Sequence, residues 1–384
     1  MSESPQVTDR LKAAGRDLGF DVIRIARAVS PPGFHPLLEW ISRGYDADME
    51  WIRRRQDAYQ HPNGVLPGTR SVVVAGMNYH NASFSPSGVP QVSPTGASST
   101  AAAPVPEPRS PASVRVARYA AGPVDYHDVL RRRLKQLAVV IREQLPNERT
   151  RGVVDTAPLL ERDFARLAGI GWFGKNTMLI SREIGSWFFL GALLTTASLS
   201  PDDPVEHDYC GSCTRCLDAC PTNAFPEPRV LDSNRCISYL TIEHRDKSIS
   251  DTLRSGMDNW IFGCDICQEV CPWNRFAPAE SIPEFRPREE LQTLSLADIL
   301  QLTESDFQKL FAGTPLQRTG RAVIVRNASI AAGNTGGPDL VPVLTALQND
   351  DSELVRESAA WAITRITGRN RSPSDGEAPD PRRP

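Results

Sequence analysis

The chain has 384 residues, with 43 Lys plus Arg against 46 Asp plus Glu and a net charge of -3. At roughly 100 to 200 residues per domain, that length predicts two or three domains with real cores. The charge balance excludes a chain that is basic throughout and leaves only local patches for nucleic acid. No apolar run approaches the roughly 18 residues of a membrane span and the amino terminus lacks a signal-peptide core, so the expected location is the cytoplasm.

In chain order, Leu11, Ala14 and Leu18 recur at helical spacing, residues 20–25 alternate as a strand, and residues 72–76 form a short buried-strand run. Between 81 and 113 the chain is mostly Ser, Pro, Ala, Gly and Thr, with seven of the 32 prolines and only Glu107 and Arg109 charged. Such a stretch has too few large apolar side chains to bury a face, which predicts a flexible surface loop inserted within one domain. Residues 126–145 read as an amphipathic helix. Residues 153–155 read as a strand running into Asp155-Thr156-Ala157-Pro158, and 159–168 as a helix started by that proline. Residues 187–195 are a further buried strand. This alternation predicts an α/β domain over residues 1–200.

All eight cysteines fall between positions 210 and 271. In a chain without an export signal, such crowding argues for metal rather than disulfides. Cys210-x2-Cys213-x2-Cys216-x3-Cys220-Pro221 is the run of two-cluster bacterial ferredoxins, in which three thiolates hold one [4Fe-4S] cube and the fourth reaches the other. Cys264-x2-Cys267-x3-Cys271-Pro272 repeats the end of that motif, and Cys236 stands upstream. The implied sorting is Cys210, Cys213, Cys216 and Cys271 on one cluster, and Cys220, Cys236, Cys264 and Cys267 on the other. Zinc also takes four thiolates, but it usually does so through paired Cys-x2-Cys knuckles. A ferredoxin-type domain is therefore expected over 201–285. Two neighbouring cubes conduct electrons, and the large preceding domain implies a reductive site with a further cofactor.

The remaining chain is helical and repeats itself. Val325-Arg326-Asn327-Ala328-Ser329-Ile330-Ala331-Ala332 realigns with Val355-Arg356-Glu357-Ser358-Ala359-Ala360-Trp361-Ala362 at a spacing of 30 residues. That period predicts stacked helical hairpins of the HEAT-like kind over 286–371, followed by a disordered tail, 372–384.

Val154-Asp155-Thr156-Ala157-Pro158-Leu159-Leu160-Glu161-Arg162, Gly169-Ile170-Gly171-Trp172-Phe173-Gly174-Lys175-Asn176-Thr177, the cysteine run and Arg235-Cys236-Ile237-Ser238-Tyr239-Leu240-Thr241-Ile242-Glu243 together resemble epoxyqueuosine reductase. The resemblance runs in order from about residue 7 to 365. It implies an α/β cobalamin-binding catalytic domain joined to the ferredoxin-like segment and the HEAT-like end. The implied reaction reduces the epoxide of epoxyqueuosine at the tRNA wobble position to queuosine. The implied partners are the anticodon stem-loops of the tRNAs for Asp, Asn, His and Tyr and an external one-electron donor; a monomer is the simplest assembly.

The resemblance further implies two [4Fe-4S] clusters and base-off cobalamin without a protein ligand to cobalt. Asp125-Tyr126-His127 nearly matches a cobalt-ligating Asp-x-His-x-x-Gly motif, but Leu130 replaces the glycine, so His127 reads as an ordinary helix histidine. Asp155 matches the family's proton donor, for which a buried carboxyl with a raised pKa is expected. Asp155, Gly171, Lys175 and Asn176 are the candidate cobalamin contacts, and Glu161 with Arg162 the candidate structural ion pair. Arg318, Arg321 and Arg326, with no acid between them, are the candidate tRNA contacts; the basic run at Arg131, Arg132, Arg133 and Lys135 is a second, weaker one. The alternatives to this reading are a reductive dehalogenase-like cobalamin enzyme and a ferredoxin-like electron carrier.

Overall fold

The computed structural model describes residues 5–81, 113–280 and 282–369. The predicted inserted loop, save its two end residues, and the predicted disordered tail lie outside the described residues. Among the described residues there are eight strands: β1 (Val22–Arg27), β2 (Ser71–Asn78), β3 (Arg115–Val116), β4 (Thr150–Val153), β5 (Trp172–Phe173), β6 (Leu179–Ile180), β7 (Phe188–Thr195) and β8 (Trp260–Phe262). The main sheet has the order β1-β2-β7-β4, and every neighbouring pair in it is antiparallel. The α/β expectation is corrected to a mixed helix and antiparallel-sheet domain. Strands and helices do alternate along the chain, but short helices and turns carry the chain from β1 back alongside it as β2, with no crossover returning it parallel.

Both faces of this sheet are covered, which explains why β2 and β7 read as unbroken apolar runs. Val73, Ala75 and Met77 of β2 face one way, into a core with Leu11 of helix Pro5–Asp17 and Leu130, Leu134 and Leu137 of helix Tyr126–Gln144. Val72 and Val74 face the other way, against Phe164 and Ala165 of helix Glu161–Leu167. Full burial of each large apolar side chain contributes about 1.5–3 kcal/mol. The sandwich fixes the end of β4, and with it Asp155, beside the start of helix Tyr126–Gln144, where Asp125 caps the helix by accepting from the His127 amide.

The two realigned segments fall on helices Arg321–Thr335 and Glu353–Arg369. These pack closely at Gly333, where an added Cβ would lie 2.3 Å from the Trp361 ring. Residues 323–333 are buried all round, because this helix is wrapped by its partner and by a core that includes Val116, Ile261, Phe262, Leu296 and Phe307. The segment after the inserted loop thus belongs to the carboxyl-terminal core, and β3 pairs in parallel with β8.

Candidate functional site

The eight cysteines are all free thiols, and their mutual electrostatics sort them into two groups. Burial pushes Cys271 up to about 11, and the nearby Cys210, Cys216 and Cys213 thiols add to the rise. Cys216 is raised by burial and by Cys210 and Cys213. In the other group, burial raises Cys264, with Cys267 and Cys236 adding, and Cys220 acts on Cys236. Cys267 also feels Cys216 across the divide, so the groups are neighbours. A cavity of about 70 Å³ lies against Cys210, Cys213, Cys216 and Cys271. Crowded, buried sulfurs are poor thiolates unless a cation neutralises them, and this donor set, four sulfurs per group, suits an iron–sulfur cube.

Lys175 and Asn176 belong to this cysteine region. Lys175 Nζ donates to the Gly211 carbonyl at 2.7 Å, and Asn176, 3% exposed, donates to the Cys267 carbonyl at 3.1 Å. Gly171 serves the β5–β6 hairpin, since a Cβ there would lie 2.1 Å from the Ile180 carbonyl oxygen. None of these three lines the large cleft.

That cleft, about 800 Å³, is lined by Asp155, Tyr59, Leu160, Glu161, Trp172 and Phe173 among others. Asp155 is the centre of a three-residue turn closed by the Thr156 amide on the Val154 carbonyl, with φ at +37°. Backbone in this region stores about 1–3 kcal/mol and persists only where the surroundings hold it. Here Tyr126 donates its hydroxyl to Asp155 Oδ2, and His127 Nε2 lies 2.5 Å from Asp155 Oδ1. His127 Nδ1 lies 2.7 Å from Asp125 Oδ1, and Arg318 reaches Asp125 Oδ2 at 2.9 Å.

Burial alone would raise Asp155, but its bonds from His127 and Tyr126, with the charges of His127 and Arg318, outweigh this and hold it below the usual carboxylate value. The expected raised pKa is corrected: Asp155 is half exposed, at 49%, and bonded to donors, so it rests ionised. Burial would lower His127, yet Asp125 and Asp155 outweigh it and raise the imidazole above its ordinary 6.5. His127 thus lies bridged between two carboxylates, Asp125 and Asp155, with the Arg318 guanidinium 2.9 Å from its Nδ1.

Two carboxyls of the cleft lining are raised by burial, Asp163 and Glu161. Burial, aided by the Asp155 charge, pushes Glu161 up to about 8, and Glu161 Oε1 has no hydrogen-bond partner among the described residues. Among the described residues Glu161 forms no ion pair with Arg162, whose guanidinium donates instead to the Thr177 carbonyl at 2.6 Å. A roomy cleft whose lining mixes aromatic and apolar side chains with charged ones, the orphaned Glu161 carboxyl among them, fits a large flat cofactor edged with amides.

The three candidate tRNA arginines are otherwise engaged. Arg326 is 1% exposed, donates to the Leu240 carbonyl at 2.7 Å and Asn327 at 2.8 Å, and is pushed down to about 10 by burial. Arg321 is held by Asp350 at 2.7 Å and by the Leu302 carbonyl. Arg318 is bonded to Asp125 but keeps 47% of its side chain exposed. As a phosphate contact Arg326 is corrected: the helix that carries it and Arg321 is central, so these two arginines satisfy carbonyls and a carboxylate within the fold. Arg326→Ala is therefore expected to lower the melting temperature, since hydrogen bonds to a charged group are worth about 1.5–3 kcal/mol each. RNA affinity per folded molecule should stay unchanged when thermal melts and binding are measured together.

Comparison with known proteins accords with this geometry. A family model described as epoxyqueuosine reductase QueG, DUF1730, matches residues 60–156, and one described as a 4Fe-4S double cluster binding domain matches 209–274. The chain is 38% identical over 363 residues to the epoxyqueuosine reductase of Xanthomonas campestris, covering 94% of this chain and 97% of the relative. It is 38% identical over 362 residues to that of Escherichia coli, covering 93% and 89%. A crystal structure of epoxyqueuosine reductase with a tRNA-Tyr epoxyqueuosine-modified stem loop superposes with a TM-score of 0.80 at 31% identity, covering 94% of this chain and 90% of that one. The Bacillus subtilis enzyme, described with its catalytic aspartate loop swung out of the active site, gives 0.78 at 30% identity with the same coverage. With its strained aspartate turn, its cleft and its eight clustered cysteines, the chain belongs to the epoxyqueuosine reductase family.

Proposed function

We propose that this chain, an oxidoreductase, reduces the epoxide of epoxyqueuosine at the wobble position of tRNA to queuosine. The observation that carries the reading is Asp155: a carboxylate on a strained turn, bonded to His127 and facing an 800 Å³ cleft. The reaction breaks both C–O bonds of the epoxide, forms a C=C bond and releases the oxygen as water, consuming two electrons and two protons. Two [4Fe-4S] clusters on the cysteine tetrads would pass the electrons singly from an external donor. Cobalamin in the cleft would supply a low-potential cobalt centre able to reduce the strained carbon.

The residues of this chain handle the proton and the geometry. Trp172 and Phe173 would flank the cofactor, and the protonated Glu161 would donate to one of its amides. Both ring nitrogens of His127 are engaged by Asp125 and Asp155, and the cleft lining holds Asp155 rather than the imidazole, so the histidine would act on the cleft through Asp155. Asp155 stands between the His127 proton and the cleft, so it can orient that proton and pass it to the departing oxygen.

The RNA surface lies at the cleft mouth. Trp51 is 42% exposed and Arg54 72% exposed; Arg55 donates to the Thr156 carbonyl at 3.2 Å, beside Asp155. An exposed aromatic among cations suits a splayed base in a single-stranded loop. Charge reversal of Arg54 and Arg55 is expected to weaken stem-loop binding and to flatten its decline with salt, as removal of about two phosphate contacts should. Equal affinity across a salt titration would displace the interface from this patch.

The function itself is tested with anaerobically reconstituted protein, cobalamin and an epoxyqueuosine-containing stem-loop. Mass spectrometry should show loss of one oxygen atom from the nucleoside. Unaltered epoxyqueuosine under reducing conditions, with clusters and corrinoid bound, would reject the reading.

A further inference from the structure

Arg318 stands on the short helix Pro315–Thr319, rooted in the carboxyl-terminal core by Leu316, which is 0% exposed. Its guanidinium leaves that core and lies 2.9 Å from Asp125 Oδ2 and 2.9 Å from His127 Nδ1. Asp125 thus spends one oxygen on the histidine and the other on an arginine from a distant part of the chain.

We propose that Arg318 is a positioning residue through which the carboxyl-terminal helical region holds the Asp155 turn in its closed, cleft-facing arrangement. A turn with positive φ at a non-glycine residue does not hold itself. Asp155 is kept in place by Tyr126 and His127, and the His127 ring is aimed by Asp125, whose own rotation Arg318 fixes. The side chain of Arg318 is 47% exposed, so water could solvate it without this contact; the bond to Asp125 is there for what it orients. The catalytic consequence rests on reading Asp155 as the reacting carboxylate, whereas the structural coupling does not.

Charge makes the coupling readable by pH. Arg318 lowers Asp125, Asp155 and His127 alike. The other groups facing this cluster are the Tyr126 and Tyr119 phenols, with Asp265 and Glu243 acting on Tyr119, and Glu161 beyond Asp155. None of these supplies a second cation, so removing Arg318 should let both aspartates rise.

The test compares Arg318→Ala, Arg318→Lys and Asp125→Asn in the full-length, cluster-loaded protein. Hydrogen exchange of peptides spanning residues 153–160, measured without RNA, should quicken in Arg318→Ala and Asp125→Asn and return toward wild type in Arg318→Lys. Single-turnover reduction of the stem-loop should fall about tenfold or more in Arg318→Ala, as misplacement of a reacting group does, and its acidic pH limb should move to higher pH. Stem-loop affinity should hold. Unchanged exchange with unchanged turnover would overturn the proposal, as would a loss confined to stem-loop affinity, which would make Arg318 a phosphate contact. If exchange quickens while Asp155→Asn turns over normally, the coupling stands and the catalytic reading of Asp155 fails instead.

Discussion

Asp155→Asn is expected to lower single-turnover reduction of epoxyqueuosine-containing RNA by about 100- to 10,000-fold, the range lost with a general acid, while folding and cluster content persist. Asn tolerates positive φ nearly as well as Asp, and its carbonyl oxygen can still accept from His127 or Tyr126. What it cannot do is carry charge. Asp155 sits below the usual carboxylate value, so its contribution to stability and to proton handling is present at neutral pH and lost as pH falls through that depressed value. His127 sits above 6.5, so its bridge is complete below about 6.5 and lost as pH rises through the raised value. Turnover should therefore be bell-shaped in pH. In the Asn variant the alkaline limb should also move to lower pH, because a carboxylate that raises His127 is gone. A variant with near-native turnover and an unmoved alkaline limb would leave Asp155 only a structural role in its turn.

What the sequence disclosed about this site follows from how local each signal is. The cysteine run from 210 to 220 announces itself because its spacing is short-range chemistry, and the strands announce themselves because a sheet covered on both faces must be apolar throughout. Asp155 was legible through its motif, but its ionisation was not. The partners that set it, His127 and Arg318, stand 28 residues before it and far beyond it, and only the tertiary fold brings them together. His127 carried one overlooked signal: Asp125, two residues earlier, is both a helix cap and an imidazole partner. The arginine patch misled for the opposite reason. Cations spaced along a helix usually mean a solvated face, but helix Arg321–Thr335 is enclosed by the core around it, so Arg326 reads like a surface residue and is buried like an internal one. The antiparallel sheet was hidden because alternation along the chain says nothing of the direction in which each connection returns.

Cys271→Ser is expected to remove one of the two clusters and abolish turnover. Wild-type protein should carry about eight irons and eight sulfides per chain, two cubes on eight thiolates, and the variant should fall toward half of that. Cys271 is 55 positions from Cys216 in the sequence, so a short motif-bound metal would not notice its loss. In the fold its thiol is crowded by Cys210, Cys213 and Cys216 and lines the same cavity as they do. Serine can replace the shape but is a far harder ligand than thiolate. The remaining cube, on Cys220, Cys236, Cys264 and Cys267, should survive, because none of its thiols depends on Cys271. Electron delivery should nevertheless fail, since the adjacency of Cys216 and Cys267 makes the two groups neighbours in one path. Iron and sulfide analysis with the visible spectrum decides the matter: stoichiometric zinc without broad visible absorption, or a Cys271→Ser protein retaining full iron, would overturn the assignment of Cys271 to the first cluster.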